Sequence, residues 1–362
     1  MGGFPMKRRD AGALFVGLPV RAGSAIPPIR IGLTLGDMNG VGPELALMAA
    51  DAIRMGRLGG IELVLIGCSS LLALQAKTWG CACPVPWIPA CGQVAPTPVT
   101  LWDPFPSRSL KWTPGEISAA ASRAACGWID AAVDACLDGR LDAMVTAPIS
   151  KEGLKKAGVP CSGHTERIAA RTGTVRFGML LVGGPLRVVL ATRHVPLRDV
   201  PETLTLDVVR EAIELAGEAL TWLGVPDGRV GVCGLNPHAG DGGALGDEED
   251  RVISPAIRAA RELGLQVSGP LSGDAAFYRA AQGEFDVLVA MYHDQGLAPL
   301  KLVGFETGVN LTLGLPFVRT SPDHGTAFDL AGRGLASPGS LFSAVRMAAE
   351  LARRPSPWRR LS

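Results

Sequence analysis

The stretch IRIGLTLGDMNGVGPELALMAADAI, residues 29–53, joins a short apolar run to a helical pattern through a glycine-rich turn. A second apolar run follows at residues 61–67. Neither run alternates strictly between apolar and polar residues, which indicates strands buried on both faces. The order of strand, helix and strand is typical of a parallel β-sheet covered by helices. This stretch therefore predicts an α/β fold.

The same alternation continues along the chain. Short runs rich in Val and Leu, each bounded by Gly, Pro or charge, predict further strands at residues 142–146, 186–192, 229–234 and 286–291. Periodic patterns predict helices at residues 206–223 and 254–263. A capping box at residues 113–116, with Pro at the first helical position, predicts a helix that runs to about Leu137. The Pro-rich residues 96–112 are predicted to form a loop.

The composition of the 362-residue chain limits the possible functions. With 47% hydrophobic and 19% charged residues, the chain can bury a large core, which excludes wholesale disorder. The net charge is +1 and no basic stripe is present, so nucleic acid is a poor partner. No apolar run is long enough to span a bilayer, and we expect no membrane partner.

The eight cysteines are scattered, and no two pairs stand at zinc-site spacing. We interpret them as reduced thiols and expect a cytoplasmic protein. In residues 1–28 an apolar run follows Lys7, Arg8 and Arg9, an order that loosely resembles a secretory signal. Because that run is short and broken by Pro19, we predict a disordered extension, or a translation start placed too early.

Three of the five histidines closely follow predicted strands: His194, His238 and His293. Ligands of open α/β sheets bind at the carboxyl ends of the strands, where three imidazoles can hold one divalent metal ion. The other two histidines are His164 and His324. All five have turn and polar residues beside them, so a turn explains each one separately. Spacing leaves open whether a three-histidine site exists and which three histidines form it.

Two further segments carry candidate binding groups. The glycine loop 36–42 lies where backbone N–H groups can face an anion, but a tight turn explains it equally well. Neither the G-x-G-x-x-G nor the P-loop pattern occurs in the chain, which disfavours both of those nucleotide sites. Lys301, Asn310 and Arg319 stand close together in sequence and suit a phosphate or carboxylate; the alternative is a surface ion pair.

Four long motifs carry a resemblance to a known family. They are TAPISKEGLKKAGVPCSGHTE from residue 146, GLNPHAGDGGALGDEE from 234, MYHDQGLAPLK from 291, and GVNLTLGLPFVRTSPDHGTAFDLAGRG from 308. With these blocks in this order, the chain resembles the 4-hydroxythreonine-4-phosphate dehydrogenase family of pyridoxal phosphate biosynthesis. The resemblance runs from about Ile29 to Leu351.

The resemblance implies a role for particular residues. It implies that the ligands of a divalent metal, zinc, magnesium or cobalt, are His194, His238 and His293. It implies substrate contacts at His164, Thr165, Lys301, Asn310 and Arg319. It also implies that NAD or NADP binds a loop similar to the adenosine-binding loop of β-decarboxylating dehydrogenases, at His324, Gly325, Thr326 and Ala327. Asp274 and Lys301 are the candidates for the catalytic proton acceptor.

The family fold is similar to that of isocitrate and isopropylmalate dehydrogenases. It implies two α/β/α lobes with a cleft between them, and a homodimer with active sites at the subunit interface. We expect the first lobe at residues 29–144 and 286–362, and the second lobe at residues 145–285.

The implied reaction is NAD(P)-dependent oxidation of 4-(phosphooxy)-L-threonine, followed by decarboxylation to 3-amino-2-oxopropyl phosphate, in vitamin B6 biosynthesis. A divalent metal would lower the pKa of the hydroxyl that is oxidised. The chain departs from the family pattern at residues 38–39, where Met-Asn replaces Pro-Ala, at Ser150, and at residues 272–275. These departures leave a related substrate open, D-threonate or D-erythronate 4-phosphate. Less favoured alternatives are a metal-dependent hydrolase or aldolase, and a silent paralogue that only binds phosphometabolites.

Overall fold

The computed structural model describes residues 27–79, 85–92, 97–106, 110–160 and 163–359. The predicted extension at residues 1–28 lies outside them, apart from its last two residues. The chain divides into two compact units. The first unit is Pro27–Phe177 with Glu306–Ser362, and the described residues of the second unit are Gly178–Phe305.

The strands of the described residues are β1 (Ile29–Thr34), β2 (Ile61–Ile66), β3 (Trp87–Ile88), β4 (Val99–Trp102), β5 (Ala143–Thr146), β6 (Gly178–Gly183), β7 (Leu186–Leu190), β8 (Arg229–Cys233), β9 (Gln266–Leu271), β10 (Val287–Ala290), β11 (Val309–Leu313) and β12 (Val318–Pro322). The helices are α1 (Gly42–Arg54), α2 (Ser69–Thr78), α3 (Ala119–Leu137), α4 (Lys151–Lys156), α5 (His164–Thr172), α6 (Val200–Thr203), α7 (Leu206–Leu223), α8 (Ser254–Glu262), α9 (Gly273–Ala281), α10 (His293–Gly304) and α11 (Gly339–Ala352).

Each unit has a mainly parallel sheet covered by helices. In the first unit the strand order is β3-β4-β2-β1-β5-β12-β11, and only β11 and β12 pair antiparallel within its described strands. In the second unit the order is β6-β7-β10-β8-β9, and only β6 and β7 pair antiparallel among the strands described there. Helices α3 and α11 pack on the first sheet, and α7 and α10 pack on the second. The α/β prediction is confirmed.

The predicted central strands are buried on both faces, as their sequences indicate. The described side chains of β5 and β10 are fully buried, and four of the six residues in β1 are buried. The predicted helix at residues 206–223 is α7, which begins after Thr205 and ends before the left-handed Gly224.

Two local predictions are wrong. Helix α3 begins after Ser118, whose side chain accepts a hydrogen bond from Ala121 N, and not at the capping box of residues 113–116. Those residues are held as a loop because the Asn39 side chain bonds to Thr113 and to the Glu116 carbonyl. The predicted loop at residues 96–112 contains strand β4, which pairs with β2.

The unit boundaries also differ from the predicted lobe boundaries at residues 145 and 286. Helices α4 and α5, which follow β5, pack on α3, so the chain up to Phe177 stays with the first unit. Strand β10 pairs with β7 and β8, so residues 286–305 belong to the second unit. Sequence alternation gives the strands, but it does not give the partners that assign each strand to a sheet.

Among the described residues, no helix is long and apolar enough to cross a membrane. The described cysteines are buried free thiols at positions 68, 91, 126, 136 and 233. Burial raises the pKa of the Cys233 thiol to about 12 and that of Cys91 to about 11, so both thiols stay protonated.

Candidate active site

Three histidines lie at one edge of the second unit's sheet. His194 follows β7, His238 follows β8, and His293 is the first residue of α10 after β10. Strand β10 lies between β7 and β8 and is parallel to both, so the carboxyl ends of the three strands are side by side. Each of the three histidines therefore lies at or just beyond the same edge of this sheet.

Two of the three imidazoles are close together. The ring centroids of His194 and His293 are 5.6 Å apart, and the rings are tilted by 39°. The Asp294 carboxylate accepts a hydrogen bond of 2.6 Å from His293 Nδ1, which orients that ring. In the part of the chain that the structure describes, however, no group of three or more His, Cys, Asp or Glu side chains is arranged to hold a metal ion. His194 and His293 are therefore neighbours, but the three histidines do not form one group in the described residues.

His238 lies in a left-handed turn at Pro237–Gly243. Its φ is 52°, and Ala239 and Asp241 also have positive φ, of 55° and 45°. Each non-glycine residue in this conformation costs about 1–2 kcal/mol. The buried Glu249 carboxylate holds the preceding residues, because its Oε1 accepts from the N–H groups of Leu235 and Asn236, each over 2.8 Å. The Glu249 side chain therefore holds the backbone that leads into the His238 turn.

The two candidate proton acceptors lie on helices of the second unit. Asp274 lies exposed in the first turn of α9, where the Ser272 hydroxyl donates to its carboxylate over 2.6 Å. That hydrogen bond lowers the pKa of Asp274, and the electrostatic interaction with His238 lowers it further. A lowered pKa makes Asp274 a weaker base. Lys301 lies half-buried in the last turn of α10.

Arg319 is a buried cation in the first unit. It lies on β12 with 2% of its surface exposed, so the alternative of a surface ion pair is wrong for this residue. Its Nη1 donates to the Thr312 hydroxyl over 2.9 Å, and its Nη2 donates to the Thr146 hydroxyl over 2.6 Å. Burial lowers its pKa to about 10, and the Glu166 carboxylate partly opposes that shift. At neutral pH the guanidinium remains charged.

His164 shares the surroundings of Arg319. Burial holds the pKa of His164 well below its usual value, and the positive charge of Arg319 lowers it further, so the imidazole is neutral. Thr165, the next residue of α5, is buried. Among the described atoms, three buried polar atoms lack a hydrogen-bond partner here: His164 Nε2, Asn310 Oδ1 and Arg319 Nε. Since unpaired buried polar atoms are costly, this set suits a polar ligand with acidic groups.

Sequence reasoning missed the hydroxyls that hold Arg319. Thr146 ends the buried strand β5, and Thr312 lies inside β11. A threonine in a strand is ordinary, so neither residue carries a signal in the sequence alone.

The predicted cofactor residues begin the 324–336 loop of the first unit. His324 Nδ1 donates to the Gly325 carbonyl over 2.9 Å, while its Nε2 is buried with no partner among the described residues. Ala327 has a positive φ of 42°. An orphaned ring nitrogen and a strained backbone fit a loop that binds a ligand with polar groups.

The glycine loop at residues 36–42 forms a turn that holds other segments. Asn39 N donates to the Asp37 carboxylate over 3.0 Å, Gly40 N donates to the Asp37 carbonyl over 3.0 Å, and Val41 N donates to the Thr326 carbonyl over 3.0 Å. These N–H groups are therefore used within the protein, and the tight-turn interpretation is the one observed.

Comparison with known proteins establishes the family. The family described as pyridoxal phosphate biosynthetic protein PdxA matches residues 73–348. The chain belongs to the PdxA family. The matched range contains every predicted site residue, from His164 to Ala327, and the resemblance seen in the motifs is confirmed.

Relatives of the PdxA-family chain are similar over nearly their whole length. A 4-hydroxythreonine-4-phosphate dehydrogenase from Desulfosudis oleivorans is 45% identical over 340 residues, covering 91% of this chain and 99% of that protein. A D-threonate 4-phosphate dehydrogenase from Cupriavidus necator is 41% identical, covering 90% and 97%. The crystal structure of a 4-hydroxythreonine-4-phosphate dehydrogenase from Klebsiella pneumoniae is 37% identical with a TM-score of 0.79, covering 92% and 100%. The chain is a dehydrogenase.

Proposed function

We propose that this PdxA-family enzyme oxidises 4-(phosphooxy)-L-threonine with NAD or NADP and releases carbon dioxide and 3-amino-2-oxopropyl phosphate. The observation that carries the proposal is the buried Arg319 guanidinium, beside a neutral His164 and with an Nε that lacks a partner among the described atoms. A buried cation with an unused donor is stabilised by an acidic ligand, because charge-assisted hydrogen bonds are the strongest available there.

The residues of the first unit would bind the acidic groups of the substrate. Arg319 is already held by two hydroxyls, so its plane is fixed and Nε remains to donate to a phosphate or carboxylate oxygen. His164, with Thr165, and Asn310 would orient the substrate through their buried polar atoms. Such fixed donors lower the barrier by positioning the substrate, since they need no rearrangement on binding.

We propose that Lys301 contributes a second positive charge to the substrate and that Lys301 or Asp274 accepts the proton. The lowered pKa of Asp274 makes that carboxylate the weaker base and favours Lys301 as the proton acceptor. Residues 324–327 would bind NAD or NADP, a role supported by the orphaned His324 Nε2.

We also propose that a divalent ion, zinc, magnesium or cobalt, binds His194, His238 and His293 in a homodimer whose active sites lie at the subunit interface. The neighbouring rings of His194 and His293 support two of these ligands. Imidazoles are suitable ligands for zinc and cobalt. The buried free thiols in the described residues support a cytoplasmic location.

The proposal is tested by NADH or NADPH formation with purified 4-(phosphooxy)-L-threonine, run with zinc, magnesium and cobalt in turn. Carbon dioxide release is measured in the same reactions. Stoichiometric release of carbon dioxide and reduced cofactor is expected. A metal-dependent hydrolase or aldolase would consume substrate without reducing the cofactor, and that result would reject the proposal.

A second candidate substrate is D-threonate 4-phosphate, which is favoured by the Cupriavidus necator relative. The departures at residues 272–275 fall at Ser272, Gly273 and Ala275, on either side of Asp274, whose carboxylate interacts with His238, and they support a change near the reacting groups. The two candidates differ in their amino group, so the ratio of kcat/KM values for the two substrates decides between them. D-Erythronate 4-phosphate completes the panel.

A further inference from the structure

A buried carboxylate outside the proposed site holds the 324–336 loop. Glu44 lies in the first turn of α1 with 2% of its surface exposed. The Gly334 N–H donates to its Oε2 over 3.4 Å, the N–H groups of Gly332 and Ala336 act on the same carboxyl group, and Oε1 has no hydrogen-bond partner among the described atoms. Burial raises the pKa of Glu44, and these three N–H groups oppose that shift.

The loop is shaped to surround an anion. Gly332 and Gly334 have positive φ values of 76° and 66°, and the N–H groups of residues 332, 334 and 336 all act on the Glu44 carboxyl group. Backbone N–H groups arranged in this way form a concave anion-binding nest. Here the anion is the protein's own carboxylate, placed in the first turn of a helix, where negative charge is favoured.

The start of α1 contacts the loop at a second point. Val41 N donates to the Thr326 carbonyl over 3.0 Å. A side-chain carbon at Gly40 would lie 2.8 Å from that same carbonyl oxygen, so only glycine allows the approach. The loop is thus tied at residue 326 and again at residue 334, on both sides of the strained Ala327.

We infer that Glu44 is a positioning residue for the nicotinamide cofactor, holding the 324–336 loop in the conformation that binds it. This inference rests on the proposed cofactor role of residues 324–327. Glu44 acts through the backbone nest, and without it the loop populates other conformations. The apparent affinity then falls in proportion to the fraction of molecules that remain competent to bind.

Two variants test the inference on the full-length protein. Glu44→Gln keeps the shape of the side chain but replaces one acceptor oxygen with a donor NH₂ group. Gly334→Ala keeps the carboxylate but strains the loop backbone, because alanine is disfavoured at this positive φ. The added carbon meets no atom within 4 Å in the described chain, so a steric clash does not contribute. If Glu44→Gln fails to fold, Gly334→Ala tests the inference alone.

Each variant has a matched control. Asp51→Asn removes a carboxylate from the same helix, where Asp51 pairs with Arg54. Gly139→Ala adds the same strain at a φ of 70°, again with no atom within 4 Å in the described residues, in the turn after α3. Both controls leave the 324–336 loop untouched.

Binding of NADH and of NADPH is measured by fluorescence titration, and backbone amide hydrogen exchange is measured without cofactor. We expect the Kd of the preferred cofactor to rise about tenfold in Glu44→Gln and Gly334→Ala. Exchange at residues 332–336 should become faster in both variants. Their KM for the phosphorylated substrate should stay within about twofold of wild type. The cofactor Kd of both control variants should also stay within about twofold of wild type.

Unchanged cofactor affinity with faster exchange would overturn the inference, because the loop would then be held without serving the cofactor. Weaker affinity with unchanged exchange would overturn it too, since Glu44 would act by another route. If the wild-type protein bound neither cofactor, the proposed cofactor role of residues 324–327 would also be rejected. This result distinguishes a failure of the proposed function from a failure of the inference about Glu44.

Discussion

Arg319 Nη2 donates to the Thr146 hydroxyl over 2.6 Å, and this bond joins two neighbouring strands, β12 and β5. Thr146 begins one of the four family-like motifs, and Arg319 lies in the last of them. A hydroxyl at the end of one buried strand thus fixes the plane of a buried cation on the next. The geometry leaves Nε as the donor that has no partner among the described atoms.

Replacing Arg319 with lysine should weaken substrate binding selectively. Lysine keeps the positive charge but loses the planar fork that Thr146 and Thr312 hold. We expect Arg319→Lys to raise the KM for the phosphorylated substrate by at least about tenfold, with the KM for the nicotinamide cofactor nearly unchanged. Steady-state kinetics with each substrate varied in turn measures this. Arg123→Lys, at an exposed position of α3, is the control, and equal changes in both KM values would contradict a substrate role.

The stability of the protein should depend on pH through His164. Because the pKa of His164 is depressed in the folded state, the unfolded chain binds a proton more readily than the folded chain below about pH 6.5. The stabilising contribution is therefore complete above that pH and is lost as the pH falls, by up to about 1.4 kcal/mol per pH unit. Urea unfolding at several pH values should show that wild type loses more stability than His164→Gln between about pH 7 and pH 5. Parallel curves would show that His164 does not titrate in this way.

Metal binding should depend on His194 and His293. In His194→Ala and His293→Ala we expect metal content after dialysis to fall below about a tenth of the wild-type value, because a site with three protein ligands does not survive the loss of one. Asp294→Asn should weaken zinc affinity by about 10–100-fold, since Asp294 orients the His293 ring. Elemental analysis and zinc titration measure these effects. His324→Ala should keep its metal, and normal metal content in His293→Ala would reject that ligand.

The sequence predicts where the candidate site lies better than it predicts the geometry of that site. His194, His238 and His293 each end a recognisable strand pattern, and the carboxyl ends of parallel strands share one edge. The strand order that makes β10 the neighbour of both β7 and β8 depends on contacts between segments far apart in the chain, which no local pattern records. The left-handed turn at His238 shows the same limit: its glycines permit positive φ, but no local pattern predicts that His238 and Asp241 adopt it too.

Asn39 shows how a departure from the family pattern can be structural. It is fully buried, and its side-chain amide donates to the Thr113 hydroxyl and the Glu116 carbonyl and accepts from Thr113 N. Its backbone carbonyl also accepts from Gly115 N over 2.8 Å. Asn39→Ala removes the side-chain bonds and leaves buried partners unpaired, so we expect a loss of about 2–4 kcal/mol in the free energy of unfolding.

Asn39→Asp separates the hydrogen bonds from the electrostatics. Aspartate can still accept from Thr113 N but cannot donate, and it places a second carboxylate beside the buried Asp37, whose pKa burial already raises. Two neighbouring buried carboxylates favour the protonated form, so the folded-state pKa of the new aspartate should be raised. The folded protein then binds more protons than the unfolded chain, and the Asn39→Asp variant should gain stability relative to wild type as the pH falls from about 7 to 5. Thermal and urea unfolding measure this, with the exposed Gln282→Ala as control. A constant stability difference across that range would mean that residue 39 acts through hydrogen bonds alone.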